Sequence, residues 1–170
     1  MRPPINFCQI CGHEMQDKHA HGKLRRVCPS CGFVHFQDPK VAVVAFIEKD
    51  ERVLLVQRAM NPERGKWALP AGYVDYGEDP QQAVIREVNE ETGLEIEVTR
   101  LIDVEGGPGT FGASIVIIYA ASVLNGVARP QDDANAVLWY AASDPLPELA
   151  FDSTHAMLGT WLQTKRGASS

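Results

Sequence analysis

The chain has 170 residues, 45% of them hydrophobic and 22% charged, enough for one domain with a buried core and a small appendage. A formal charge of −6 speaks against broad adhesion to nucleic acid or anionic membrane, although it leaves room for a local basic patch. No apolar run approaches a bilayer span, Ile115 to Ala121 being strand-sized, and the opening Met1 to Asn6 holds no signal-peptide core, so a cytoplasmic location is expected.

All four cysteines fall in the first 31 residues, as Cys8-x2-Cys11 and Cys28-x2-Cys31 around a polar hairpin-like segment. This is a metal spacing before it is a disulfide spacing: each pair offers two thiolates from a tight knuckle, with Gly12 and Gly32 supplying the backbone freedom of the turn. Tetrahedral Zn²⁺ is the natural occupant, and a two-disulfide framework is the alternative. His13, His19 and His21 read as solvated loop histidines, since four cysteines already complete the shell. Asp38-Pro39 closes this ribbon, because a residue before proline is driven toward extended geometry.

Beyond Lys40, Val41 to Ile47 is a nearly continuous valine-rich run suited to a strand covered on both faces. Arg52 to Arg58 predicts its partner, with Glu48 to Glu51 as the hairpin turn and Met60 to Lys66 as a surface loop. Further strands are expected at Glu97 to Val104, Ser114 to Val123 and Val137 to Ala141, then a helix from Ser153 to Thr164 and a disordered end from Lys165.

The helix between the early and late strands is marked at both ends. Asp79 is a suitable N-cap, Pro80 fits the first turn, Gln82 stands where a capping box has its return partner, and Gly93 supplies the C-terminal stop. Ala83, Val84, Val88 and Leu94 form an inward stripe, while Arg86, Glu87, Glu90 and Glu91 fall on another arc. Carboxylates three and four residues apart share one helix edge and can hold divalent cations against a polyphosphate; an acidic solvated face is the bland alternative.

The loop Trp67 to Asp75 ahead of that helix, with Gly72, tips the balance. Gly72 to Leu94 resembles the Nudix hydrolase signature: glycine, five residues, glutamate, seven residues, Arg-Glu, a bulky aliphatic, any residue, Glu-Glu, any residue, glycine, an aliphatic. Every specified place in those 23 residues is matched, and the resemblance extends from about Lys40 to Leu162. It implies a mixed-sheet α/β/α sandwich over residues 39–165, preceded by a zinc ribbon over 1–38 and followed by a disordered tail at 166–170.

The resemblance also implies roles. Glu87, Glu90 and Glu91 look like ligands of a catalytic Mg²⁺ or Mn²⁺, Glu78 like an auxiliary ligand or outer acid, and Arg86 like an orienting residue. Arg86 lies four residues before Glu90, so a bidentate pairing with that carboxylate is expected. The general base is open between Glu87, Glu91 and Asp133, because many relatives carry a glutamate where this chain has Ala136; a solvated turn is the plain reading of Asp132 and Asp133.

A zinc ribbon ahead of such a domain resembles both NADH pyrophosphatases and a smaller ADP-ribose and FAD pyrophosphatase-like group. The former carry a Ser-Gln-Pro-Trp-Pro-Phe-Pro type stretch where this chain reads Glu105 to Gly112 without tryptophan or repeated prolines. The linker Phe33 to Lys40 and the stretch Leu149 to Ser153 resemble the smaller group. The expected reaction is hydrolysis of a nucleoside diphosphate linked to another moiety, with ADP-ribose giving AMP and ribose 5-phosphate as the leading case. FAD, NADH and RNA 5′ ends are alternatives. Arg58, Gly72, Tyr73 and Phe111 are the expected substrate contacts, with Phe36, Trp67 and Tyr76 as other aromatics, each of which also reads as ordinary packing.

Expected partners are small nucleotide-sugars or dinucleotides, with a homodimer open and neither membrane nor nucleic acid expected. A non-catalytic nucleotide sensor or nucleic-acid binder is the contrasting class, for which Lys18, Lys23, Arg25 and Arg26 give the ribbon modest positive character. The intact glutamate set favours the enzyme.

Overall fold

A computed structural model describes residues 5–106 and 114–167. The chain divides into two compact units, Met1–Asp38 and Pro39–Ser170. The first is built on an antiparallel hairpin of β1 (Gln16–Ala20) and β2 (Lys23–Val27), registered Gln16 to Val27 and Ala20 to Lys23. Its two-residue turn, His21-Gly22, has φ of 50° and 75°, the positive pair that matches strand twist. Buried Cys8, Met15 and Cys28, with Ile5 and Phe33 against them, make a very small core. His19 therefore sits within β1 and His21 at its turn, where the sequence suggested loop positions for both.

The second unit begins with β3 (Val41–Lys49) and β4 (Arg52–Arg58). Their turn is only Asp50-Glu51, both at positive φ (50° and 58°), so Glu48 and Lys49 belong to the strand. Two short strands follow, β5 (Trp67–Ala68) and β6 (Ala71–Tyr73), then helix α1 (Pro80–Thr92), β7 (Glu95–Gly106), β8 (Ile115–Asn125), β9 (Ala134–Ala141) and helix α2 (Asp152–Gly167).

β3 runs parallel to β8 from Val41–Ile115 to Ile47–Ala121, and β7 lies antiparallel on the far side of β8. The other edge of β3 is divided: Ala42 to Val44 pair with β6, Glu48 and Lys49 with β4, and β4 also carries β5 and β9. β3 reads as an unbroken apolar run because both its faces are covered. Val43, Ala45 and Ile47 join Ala83, Val84 and Val88 of α1 in one core; Val44 joins Leu158 and Trp161 of α2 in the other. This is the α/β/α sandwich with a mixed sheet that the sequence led us to expect.

In α1, Asp79 Oδ1 accepts from the Gln81 and Gln82 amides at 2.8 and 3.3 Å, and Gly93 at φ 69° donates its N–H to Asn89 O. The cap is one-way: among the described residues, Gln82 shows no side-chain bond back to Asp79. At the chain's end, Lys165 and Arg166 are helical rather than disordered, and Lys165 Nζ reaches Glu48 at 2.8 Å. Positions 168–170 of the expected tail lie outside the described residues. No helix among the described residues is long and apolar enough to cross a membrane.

Candidate functional site

Two sets of side chains have metal-binding chemistry, one in each unit. In the first, Gly12 (φ 73°) and Gly32 (φ 76°) turn back so that their amides donate to Cys8 O and Cys28 O at 2.8 and 3.0 Å. These twin knuckles bring the four free cysteine sulfurs within 4.8 Å of one another, with Cys8–Cys31 at 3.6 Å and Cys11–Cys28 at 3.5 Å. A tetrahedron of thiolates around Zn²⁺ has an edge of about 3.8 Å, so the donor set fits such an ion. The Cys28 thiol is already drawn down to about 6, first by the Cys31 amide and against the effect of burial.

The second set surrounds Arg86 on α1. Gly77 (φ 80°) helps reverse the chain ahead of the helix, and Glu78 N donates to Asp75 O at 3.0 Å while Asp75 N donates to Glu78 Oε2 at 2.9 Å. This returns Glu78 to the helix. Arg86 then uses all five of its donors: Nε and Nη2 grip the two Glu78 oxygens at 2.8 and 2.9 Å, Nη1 bridges Glu87 Oε1 and Glu90 Oε2 at 2.8 and 2.9 Å, and Nη2 also reaches Tyr73 O at 3.1 Å. The bidentate partner is thus Glu78, not Glu90 as the four-residue spacing suggested. Two side chains on one helix edge meet end to side, whereas a carboxylate returning from a loop can face the guanidinium fork squarely.

Glu91 is 6% exposed and bonded through Oε2 to the Ala71 amide at 3.1 Å. Gly72, on β6, lies so close to the Glu87 carboxylate that a Cβ there would fall on it. Each of Glu87, Glu90 and Glu91 keeps one oxygen outside the hydrogen bonds of the described residues, while both Glu78 oxygens are engaged. That donor set suits a hard divalent cation, which takes oxygen ligands. The carboxylates are spaced wider than the sulfurs: among the described residues only the cysteines bring three ligand atoms within 4.8 Å.

Electrostatics separates the acids. The Arg86 side chain, then the Asp75 amide, holds Glu78 down at about 2. Burial raises Glu87 despite Arg86, and burial with Asp133 and Glu87 nearby raises Glu91 well above the usual range. Arg58 opposes that rise from across the site.

Of these groups Arg58, Arg86, Glu87 and Asp133 line an open cleft of about 910 Å³, together with Gly72 and Tyr73. Arg58 is held by its own backbone and by Nε to Pro62 O at 2.8 Å, with its guanidinium 4.8 Å from the centre of the Phe151 ring. Asp133 follows Asp132 (φ 46°), and its carbonyl accepts from Ala59 N at 2.7 Å. Ala136 lies inside β9 opposite Gln57, not ahead of the strand. Trp67 packs against the α2-side core, and Tyr76 is fully exposed. Phe111, with Gly107, Gly109 and Gly112, lies outside the described residues. Phe151 was not singled out from the sequence, where Leu149 to Ser153 carried only a family likeness.

The comparisons agree with this geometry. A NUDIX domain profile matches residues 37–161. The ADP-ribose pyrophosphatase of Methanocaldococcus jannaschii is 41% identical over 116 residues, which cover 67% of this chain and 68% of that protein. The NAD-capped RNA hydrolase NudC of Vibrio vulnificus is 30% identical over 156 residues, 92% of this chain but 58% of that protein, so the chain spans little more than half of such relatives. A NUDIX hydrolase crystal structure from Nitrosomonas europaea superposes with a TM-score of 0.85 at 30% identity, covering 96% of this chain and 93% of that one. The NUDIX domain of Shewanella oneidensis NrtR, solved with ADP ribose, has a TM-score of 0.58 at 29% identity over 79% of this chain and 91% of that one. With the signature glutamates gathered around Arg86 and the profile spanning residues 37–161, the chain belongs to the Nudix hydrolase family.

Proposed function

We propose that the cleft hydrolyses the pyrophosphate bond of ADP-ribose, giving AMP and ribose 5-phosphate, with Mg²⁺ or Mn²⁺ held by Glu87, Glu90 and Glu91. The observation that carries this reading is the buried Glu91, one oxygen outside the hydrogen bonds of the described residues, whose burial and the charges of Glu87 and Asp133 nearby favour either a proton or a bound cation there. A divalent ion there would offset the charge of the two phosphates, acidify water and stabilise charge developing at phosphorus.

The chain's own residues do the rest. Arg86, with every donor occupied, orients the glutamates and has none left for substrate. Arg58 reaches a phosphate from the opposite wall, and Tyr73 and Phe151 flank the organic portion. One of Glu87, Glu91 or Asp133 takes the proton as the water oxygen bonds to phosphorus; the bridging P–O bond breaks and its oxygen leaves on the other phosphate. In the first unit, Cys8, Cys11, Cys28 and Cys31 hold a structural Zn²⁺ that braces a core too small to be stable alone.

The 41% identity to an archaeal ADP-ribose pyrophosphatase supports the substrate. The NudC relatives match across 92% of the chain, ribbon included, and favour an RNA 5′ end as the second reading. The deciding experiment is parallel product chromatography with Mg²⁺ on ADP-ribose, FAD, NADH and NAD-capped RNA, with Glu91→Gln as control. Preferential AMP release from ADP-ribose supports the proposal, and preferential cleavage of the capped RNA replaces it with the second reading.

A further inference from the structure

The net charge of −6 conceals a division: residues 1–38 hold five Lys and Arg against three acids, net +2, while the other 132 hold eleven against nineteen, net −8. The hairpin register sorts these charges by face. Residues opposite each other in an antiparallel pair share a face, and neighbours along a strand alternate. Lys18 stands opposite Arg25 and Ala20 opposite Lys23, which puts three cations on one face; Asp17 and Arg26 stand opposite each other on the reverse.

Arg26 is spent there, on Asp17 at 3.3 Å, Ile5 O at 2.9 Å and Met15 O. The Arg26–Asp17 pair is the only ion pair of the ribbon among its described residues, and it leaves Lys18, Lys23 and Arg25 without a carboxylate partner among them. On the same face, Arg25 lies 4.5 Å from the centre of the Phe36 ring, and the His21 ring is tilted against it at 5.4 Å. Phe36 keeps 47% of its surface exposed while those neighbours fix its orientation.

We infer that this face binds single-stranded nucleic acid, with Lys18, Lys23 and Arg25 on consecutive phosphates and a base stacked on Phe36. A cluster of three cations beside a fixed, half-exposed ring matches both parts of a strand, its charge and its π-faces. An anionic membrane would also engage the charges and could take up an apolar ring, but Phe36 is held against Arg25 and His21 and keeps only half its surface for a ligand, which suits stacking better than insertion. The inference goes beyond the hydrolytic reading and does not depend on it.

The test is fluorescence anisotropy of a labelled RNA of about twelve nucleotides with the full zinc-loaded chain carrying Glu91→Gln, so that turnover plays no part. Three neutralised phosphates on a single strand predict a slope of log K against log salt of about −2. Lys18→Gln with Lys23→Gln should flatten it to about −0.7. Phe36→Ala should weaken binding about tenfold at fixed salt without changing the slope, and Phe36→Trp should restore it. Bound zinc is measured for every variant to show the ribbon intact. DNA of the same sequence tests the sugar: tighter RNA binding assigns the face to RNA, and equal binding to single strands of either kind.

The inference is overturned if no RNA binding is seen at low salt, if Phe36→Ala has no effect, or if anionic vesicles bind as tightly with the same slope. ADP-ribose hydrolysis by the double lysine variant, in the wild-type background, should be unchanged, which separates a failure here from a failure of the catalytic reading.

Discussion

Gly72→Ala tests the geometry of the glutamate cluster most directly. Gly72 does not lie at positive φ, so alanine meets no backbone penalty there; the new methyl instead falls on the Cδ and both oxygens of Glu87. Glu87 must then swing out, releasing its 2.8 Å bond to Arg86 Nη1, or β6 must lift from its pairing with Val43. The first route loses one hydrogen bond between charged groups, on the order of 1.5–3 kcal/mol, and displaces one of three proposed ligands. We expect the Mg²⁺ concentration for half-maximal ADP-ribose hydrolysis to rise about 10- to 100-fold, the range seen when a metal site's supporting geometry is lost. The metal-free melting temperature should fall by roughly 3–12 °C, given about 2–4 °C per kcal/mol for a chain of this size. Gly77→Ala is the contrast, because φ is 80° there and the space is open, so it strains the backbone without touching Glu87. A Gly72→Ala enzyme whose metal midpoint stays within about twofold of wild type would refute the close approach.

Glu91→Gln should reduce turnover by about 100-fold or more. It should also change the pH profile of the chain without a catalytic metal: with its folded pKa raised, Glu91 makes stability fall as pH climbs from the ordinary value of 4.5 through the folded one. The substituted glutamine does not titrate, so melting curves in Mg²⁺-free buffer should be flatter above pH 4.5 in the variant. Glu78 has the opposite sign. The stability it contributes is full above about 4.5 and is lost as pH falls toward about 2, and Arg86→Lys, which cannot form the fork, should remove that acid-side dependence in urea titrations between those values. Trp161 Nε1 is buried without a hydrogen-bond partner among the described residues, so Trp161→Phe should cost only the lost ring volume, about 1–2 kcal/mol by chemical denaturation; a loss above about 3 kcal/mol would mean the nitrogen is satisfied in solution.

What the sequence disclosed was local. The cysteine knuckles depend on residues three apart with a glycine after each pair, and α1 is bounded by Asp79 and Gly93 within one element. β3 was legible because two covered faces leave an unbroken apolar run. β5 and β6, of two and three residues, are too short to show a period of two and exist only because β3 and β4 offer edges to pair with. Phe151 reaches the cleft through tertiary bonds, Trp67 N to Glu148 O and Ala150 N to Trp67 O, both 2.8 Å, which join segments some eighty residues apart. No spacing rule reports such a contact.

The same distinction explains why the signature left Glu78 open between an auxiliary ligand and an outer acid. By composition, Glu78, Glu87, Glu90 and Glu91 are four equivalent acids, and only their partners make them different. Arg86 can neutralise one of them fully, and its fork goes to Glu78, the one brought by a loop. Glu87 and Glu90 each receive a single donor, and Glu91 receives none from Arg86 and is buried. Charge compensation is therefore fullest at Glu78 and least at Glu91, the most buried of the four, and the deficit is greatest there because Asp133 adds a further negative charge. A cation at that end would relieve the largest repulsion, so the proposed ion should have its greatest affinity at Glu91 and Glu87, with Glu78 holding Arg86 in position.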